Sequence, residues 1–255
     1  MFAQIPALIG QATQLFQKGE LSQASALLGR VLDAQPRNFD ALHILGVIRA
    51  MRGERAEALE LFRKALSVSK NNNFLHFNLA KVLSESGQEE EALPHHRKAT
   101  QLAPNHAEAW LNYGKSLLGL ERYEEALAAF DKAASIQPNY AEAYNNKGLV
   151  LADLGRVEPA IAAFDQAIRI RPDLVDAHWN RALQCLKLGD YAAGWAQFEL
   201  RWQMDARTTP RLATDKPPWD GQPSPRPLLL WGEQGIGDQV LYSSILPDLA
   251  ALPQK

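Results

Sequence analysis

Asn78, Asn112, Asn146 and Asn180 stand 34 residues apart in this chain. An asparagine carries both an amide donor and a carbonyl acceptor, so a row of them can complement successive peptide units of another chain whatever its side chains are. Four residues before each asparagine is a mostly acidic row, Phe74, Glu108, Glu142 and Asp176, with Asp40 one step earlier. Three residues after the first two asparagines come Lys81 and Lys115. Steps of four and three residues put these positions on one face of a helix. The residue types suit recognition rather than catalysis. Cys185 is the sole cysteine, expected as a packed thiol, and the six histidines (His43, His76, His95, His96, His106, His178) show no ligand spacing. Neither a disulfide, a metal site nor a cofactor is expected.

The elements that carry these rows follow the same step. Pro36, Pro104, Pro138 and Pro172 form one lattice, with Lys70 in the open slot. Gly19, Gly53, Gly87, Gly155 and Gly189 form a second, with Glu121 in the gap; Ala24, Ala58, Ala92, Ala126 and Ala160 form a third, continued by Gly194. Repeats counted from Ile5, Phe39, Asn73, Ala107, Ala141 and Val175 each read as two helices. Trp110, Tyr113, Gly114 and Leu117 make an apolar stripe on a first helix, and Ala126, Phe130 and Ala133 make one on a second. Small residues at the eighth position (Ala12, Gly46, Ala80, Gly114, Gly148, Ala182) let the two helices approach, with Phe62, Phe130, Phe164 or Phe198 filling the space beside them. Glycine after the first helix ends it, and proline near the end of the second redirects the chain. The architecture is all-α, a helix–turn–helix solenoid. In the third repeat His96 replaces the aromatic and Pro94 predicts a local kink. In the sixth, Arg201 and Ala206 stand where a small residue and a proline are expected.

From about residue 5 to 203 the chain closely resembles the tetratricopeptide repeat family. The resemblance implies a right-handed superhelix of about six repeats whose first helices line a groove, with the asparagine row in it. That row resembles the asparagine ladder in the repeats of O-linked N-acetylglucosamine transferase, which grips substrate backbones. Helices about 8–10 Å apart and a peptide advancing about 3.3 Å per residue give one rung to every third residue of a bound chain. Because repeats arise by duplication, a merely solvated polar row is the alternative reading. Chaperone co-factors that clamp a C-terminal carboxylate place lysine or arginine at the second position. The acids here argue against such a clamp. The candidate binding set is Asn78, Asn112, Asn146, Asn180, Glu108, Glu142, Asp176, Lys81 and Lys115, and pairing along the helix is the alternative role for the charges. The expected partner is a protein or peptide.

Composition bounds the rest. A formal net charge of −2 argues against nucleic-acid or anionic-membrane binding, and no apolar run has membrane-spanning length. The start lacks the basic region of a secretory signal, so a cytoplasmic location is expected. Residues 204–227 hold six of the fifteen prolines and read as a linker or strap following a solenoid over 5–208. Trp195, Phe198 and Trp202 give the last helix an aromatic face, for packing against that strap or something further on. Residues 228–255 read as a strand (Leu228 to Trp231), a glycine turn through Gly232, Gly235 and Gly237, and a helix from about Asp238. This stretch resembles the opening of bacterial glycosyltransferase-like domains, heptosyltransferases among them, with Pro247 also in keeping. The resemblance implies a catalytic base at Asp238. Only about thirty residues match, so the chain is expected to be a truncated part of a longer protein and not itself an enzyme. Serving as the substrate-recognition arm of a glycosyltransferase is the alternative function. Self-association through the solenoid ends or the C-terminal strand is a further expectation.

Overall fold

The computed structural model describes residues 4–198 and 200. These residues form six helix pairs: α1 (Ile5–Gln17) with α2 (Leu21–Ala34), α3 (Phe39–Met51) with α4 (Arg55–Val68), and α5 (Asn73–Glu85) with α6 (Glu89–Leu102). They continue with α7 (Ala107–Gly119) and α8 (Tyr123–Ile136), α9 (Ala141–Asp153) and α10 (Val157–Ile170), then α11 (Val175–Leu188) and α12 (Tyr191–Phe198). Every first helix begins at the residue expected from the repeat. No strand occurs among the described residues, and none of their helices is long and apolar enough to cross a membrane. The linker, strand, glycine turn and Asp238 expected after residue 203, with Arg201, Trp202 and Ala206, lie outside the described residues.

Each first helix stops by the same device. The glycines of the second lattice have φ of +71 to +86°, a conformation that costs a side-chain-bearing residue about 1–2 kcal/mol. That turn lets the next amide reach back to the helix. The Glu20 amide donates to the Leu15 carbonyl (2.9 Å), and the Gly19 amide to that of Phe16 (3.0 Å). The same longer bond recurs down the stack, ending with Asp190 to Cys185 at 2.9 Å. In the gap of the lattice Glu121 itself takes φ +57°.

Between repeats the prolines start a tight turn, closed by amide-to-carbonyl bonds from Asn38 to Gln35, His106 to Ala103, Tyr140 to Gln137 and Leu174 to Arg171 (3.0–3.1 Å). Where Lys70 replaces proline that bond is missing. The Asn72 side chain still caps α5, its Oδ1 accepting the Leu75 amide at 2.9 Å, as Asn38 caps α3.

Within each pair the eighth position meets the twenty-fourth. A Cβ built on Gly46, Gly114 or Gly148 would lie 2.5–2.6 Å from a ring carbon of Phe62, Phe130 or Phe164. Those three rings are fully buried. In the first and third repeats the eighth residue is alanine, and Leu28 and His96 take the aromatic's place, both buried. Helix α6 continues through Pro94, which removes one amide without ending the helix.

Successive first helices also pack on one another, α1 on α3 through to α9 on α11, while no comparable packing joins the second helices. The first helices therefore form the inner layer of the solenoid. They are buried on more than the single stripe read from sequence: the third positions Ala41, Leu75, Ala109, Ala143 and Ala177 are all fully buried. At the joint between the third and fourth repeats the packing turns polar. Ser116, at 1% exposure, sits where other repeats have Ile48, Val82 or Val150. Its hydroxyl donates to Glu89 Oε2 (2.6 Å), as does that of Ser84 (2.9 Å), and His96 Nε2 lies 3.3 Å from the Ser84 hydroxyl.

Candidate functional site

The inner layer presents the second, sixth, ninth and thirteenth positions of the first helices. The sixth-position row is half-buried at all four asparagines, but their amides are not equivalent. Asn78 Nδ2 lies 3.0 Å from His43 Nε2, and Asn180 Nδ2 donates to Asn145 Oδ1 at 3.2 Å. Both partners are fifth-position residues of the preceding repeat. Asn146 Nδ2 turns back on its own helix, donating to the Glu142 carbonyl at 2.8 Å. The Asn112 side chain makes no hydrogen bond among the described residues. In three rungs an N–H is engaged while the side-chain carbonyl of Asn78, Asn146 and Asn180 accepts nothing from the described residues. Each of these three keeps its second N–H and its carbonyl for a ligand, and Asn112 keeps the whole amide.

His43 explains the first rung. Its ring stacks on Phe39 (centroids 5.7 Å apart) and lies 6.0 Å from the ring of Phe62. Burial there lowers its pKa, an effect larger than the opposing pull of Asp40. The neutral ring accepts from Asn78 through Nε2, which leaves Nδ1 as its protonated nitrogen.

The charged rows divide as well. Glu142 is paired with Arg171, at the end of α10, at 2.7 Å. That pairing runs between helices rather than along one. Glu108 and Asp176 are exposed and form no ion pair among the described residues, and the same holds for Lys81 and Lys115. Between Glu108 and Glu142 stands Tyr140, whose hydroxyl burial, helped by both carboxylates, pushes up to about 12. The second-position edge of the face is thus acidic and the ninth-position edge near the middle of the stack is basic. The two edges are about 10 Å apart along the helices.

Two large apolar residues on the face are exposed. Phe74 is 56% exposed and Met51, at the thirteenth position, 62%. Beside Met51 a cleft of about 180 Å³ opens between α3 and α5, with Asn78 and Lys81 on its lip. The structure therefore brings Asn78 and Lys81 together, and sets Glu108 with Asn112 and Lys115 one repeat further on. Met51 lies on the face that the spacing defines. His43 and Asn145, by contrast, give no signal in sequence, because the fifth positions share no residue type.

Among the described residues no group of three or more His, Cys, Asp or Glu side chains is placed to hold a metal. Cys185 is buried, and that burial raises its thiol pKa.

A sequence profile described as tetratricopeptide repeat matches residues 9–73 and 145–207, and another of the same description matches 105–173. A profile for anaphase-promoting complex, cyclosome, subunit 3 matches residues 51–133. No curated protein matches the chain. Among solved structures it is similar to YrrB, reported as a TPR protein with an unusual peptide-binding site. The identity is 30% over 67% of this chain and 88% of that one, with a TM-score of 0.63. It is also similar to a tetratricopeptide repeat protein from Parabacteroides merdae (24% identity, 79% and 80% covered, TM-score 0.67) and to pilF of Pseudomonas aeruginosa (21%, 80% and 94%, 0.67). The two lower-identity likenesses speak to the fold alone.

Proposed function

This chain belongs to the tetratricopeptide repeat family, and on that premise we propose that it is a non-catalytic interaction scaffold whose inner groove holds an extended peptide segment. The observation that carries the proposal is Asn112. It is a half-buried amide in the middle of the sixth-position row with no hydrogen bond to the described residues. A polar group so placed gains most from a partner that supplies both a donor and an acceptor, and a peptide unit does so. The likeness to YrrB, whose reported peptide site lies on the same fold, supports the reading. The binding set is Asn78, Asn112, Asn146 and Asn180 for the backbone, flanked by Glu108, Glu142 and Asp176 on one edge and Lys81 and Lys115 on the other.

Asn112 and Asn146 provide the clean test, because neither ties one repeat to another. Asn112→Ala with Asn146→Ala is expected to weaken binding of a groove peptide about tenfold or more. Helicity and thermal midpoint should stay nearly unchanged, since alanine is the better helix former. Unchanged affinity in the double variant would defeat the proposal.

The sequence spacing of Gly232, Gly235 and Gly237, followed by Asp238, favours a second reading in which the repeats select substrates for a glycosyltransferase unit. The division into repeats (5–208), linker (204–227) and an incomplete βα unit (228–255) belongs to that reading. The genomic sequence past codon 255 tests it. Continued alternation of strand and helix patterns would support it, and their absence in every frame would end it.

A further inference from the structure

The groove changes character along its length. Between α3 and α5 it opens into the 180 Å³ cleft, walled by Val47, Met51 and Val82 with the ring of Phe62 beneath. Phe62 reaches this depth because Gly46 leaves room for its ring. Met51 on the lip is mostly open to water, although it is a large apolar side chain on the inner face. Such a side chain, beside an apolar hollow, loses unfavourable hydration when a second apolar group enters.

The polar rim restricts what can follow. Lys81 projects from α5 at the mouth of the cleft, exposed and without an ion pair. Glu85, one turn on, has Arg55 within 3.9 Å, so its charge is partly answered already. Lys115 is the next residue in the same row, again exposed and unpaired. Asn78 lines the same cleft, its Nδ2 held by His43, with Oδ1 left to accept a ligand amide. Apolar wall, backbone acceptor and cation therefore line one cleft.

We propose that this cleft is the specificity pocket of the groove. It takes one large apolar side chain of the bound segment (Leu, Met or Phe), while Lys81 at its mouth receives an acidic side chain beside it in the segment and Lys115, a rung further, one about three residues away. That spacing follows from rungs about 8–10 Å apart and a peptide rise of about 3.3 Å per residue. The inference rests on the groove reading above, and it names the partner's chemistry: an extended segment pairing a bulky apolar residue with a nearby acid.

The test is selection of displayed random peptides of about 12 residues, long enough at about 3.3 Å each to span several rungs, on the full chain and on two exposed-site variants, Lys81→Glu and Met51→Asp. On the unaltered chain, enriched peptides should share a Leu, Met or Phe with Asp or Glu within a few residues. Lys81→Glu should replace the acid by Lys or Arg in a fresh selection. Met51→Asp should weaken the original peptides about tenfold or more in fluorescence anisotropy, while circular dichroism stays unchanged. Peptides that lack the apolar–acid pair yet lose affinity in the Asn112→Ala, Asn146→Ala variant would overturn the pocket and leave the groove standing. Identical sequences selected by the chain and by Lys81→Glu would also overturn it. Enrichment of no peptide at all would overturn both.

Discussion

Gly114 and Phe130 can only be understood together. Alanine at 114 would put a methyl 2.5 Å from a buried ring carbon, so Gly114→Ala is expected to lower stability by about 1–3 kcal/mol despite its better helix propensity. Urea denaturation measures it. His96 tests the same rule from the opposite side. Because Ala80 faces it, His96→Phe alone should overpack, whereas His96→Phe with Ala80→Gly should recover the geometry of the other repeats. A double-mutant cycle reads the coupling, expected at about 1 kcal/mol or more. These pairs were legible in sequence because eighth-position size and ring position recur in phase. The partners of Asn78 and Asn180 were not legible. His43 and Asn145 sit 35 residues before them, in a row that also contains Phe77, Leu111 and Trp179, so no shared residue type reveals that the fifth position faces the next rung.

Among the elements, the end of α7 and the joint between the third and fourth repeats depart from the pattern. Glu121 holds φ +57° where five repeats use glycine. Glu121→Gly is therefore expected to raise stability by about 1 kcal/mol, read as a higher urea midpoint. At the joint, His96 is buried against Ser84 and has its pKa lowered to about 4, mainly by desolvation, with nearby His95 adding to it. The unfolded chain protonates this ring near 6.5, so between about 6.5 and 4 the unfolded state binds more protons than the folded one. Stability must then fall as pH drops through that window, by up to roughly 3 kcal/mol from this group. His43 and His95, also lowered chiefly by burial, act with the same sign. Denaturation midpoints across the window should decline less steeply in His96→Phe with Ala80→Gly than in the unaltered chain. Sequence flagged this repeat through His96 and Pro94. It could not show that Ser84, Glu89 and Ser116 converge there, because two helices of one repeat and one of the next must pack before the three meet.

For the whole molecule, the stacking of first helix on first helix turns a periodic sequence into one continuous inner face. The lattices predict that stacking because each marks a place where backbone must turn or approach, and turning and approach recur with every repeat. The third-position row, Ala41 to Ala177, falls outside the apolar stripe of a single helix pair. It packs between repeats, where a stripe drawn for one helix pair does not reach. The groove itself was legible only as a helix face: its cleft, its engaged amides and the Glu142–Arg171 pair depend on neighbours from other elements. The central claim is that ligand lies on this inner face, and site-specific photo-crosslinking tests it most directly. A photoreactive residue would be placed either at Asn146, in the groove, or at the exposed Ala128 on α8, with a peptide selected on the full chain as probe. Crosslinked peptide from position 146 and none from 128 is the predicted result. Crosslinking from 128 with none from 146 would contradict the account.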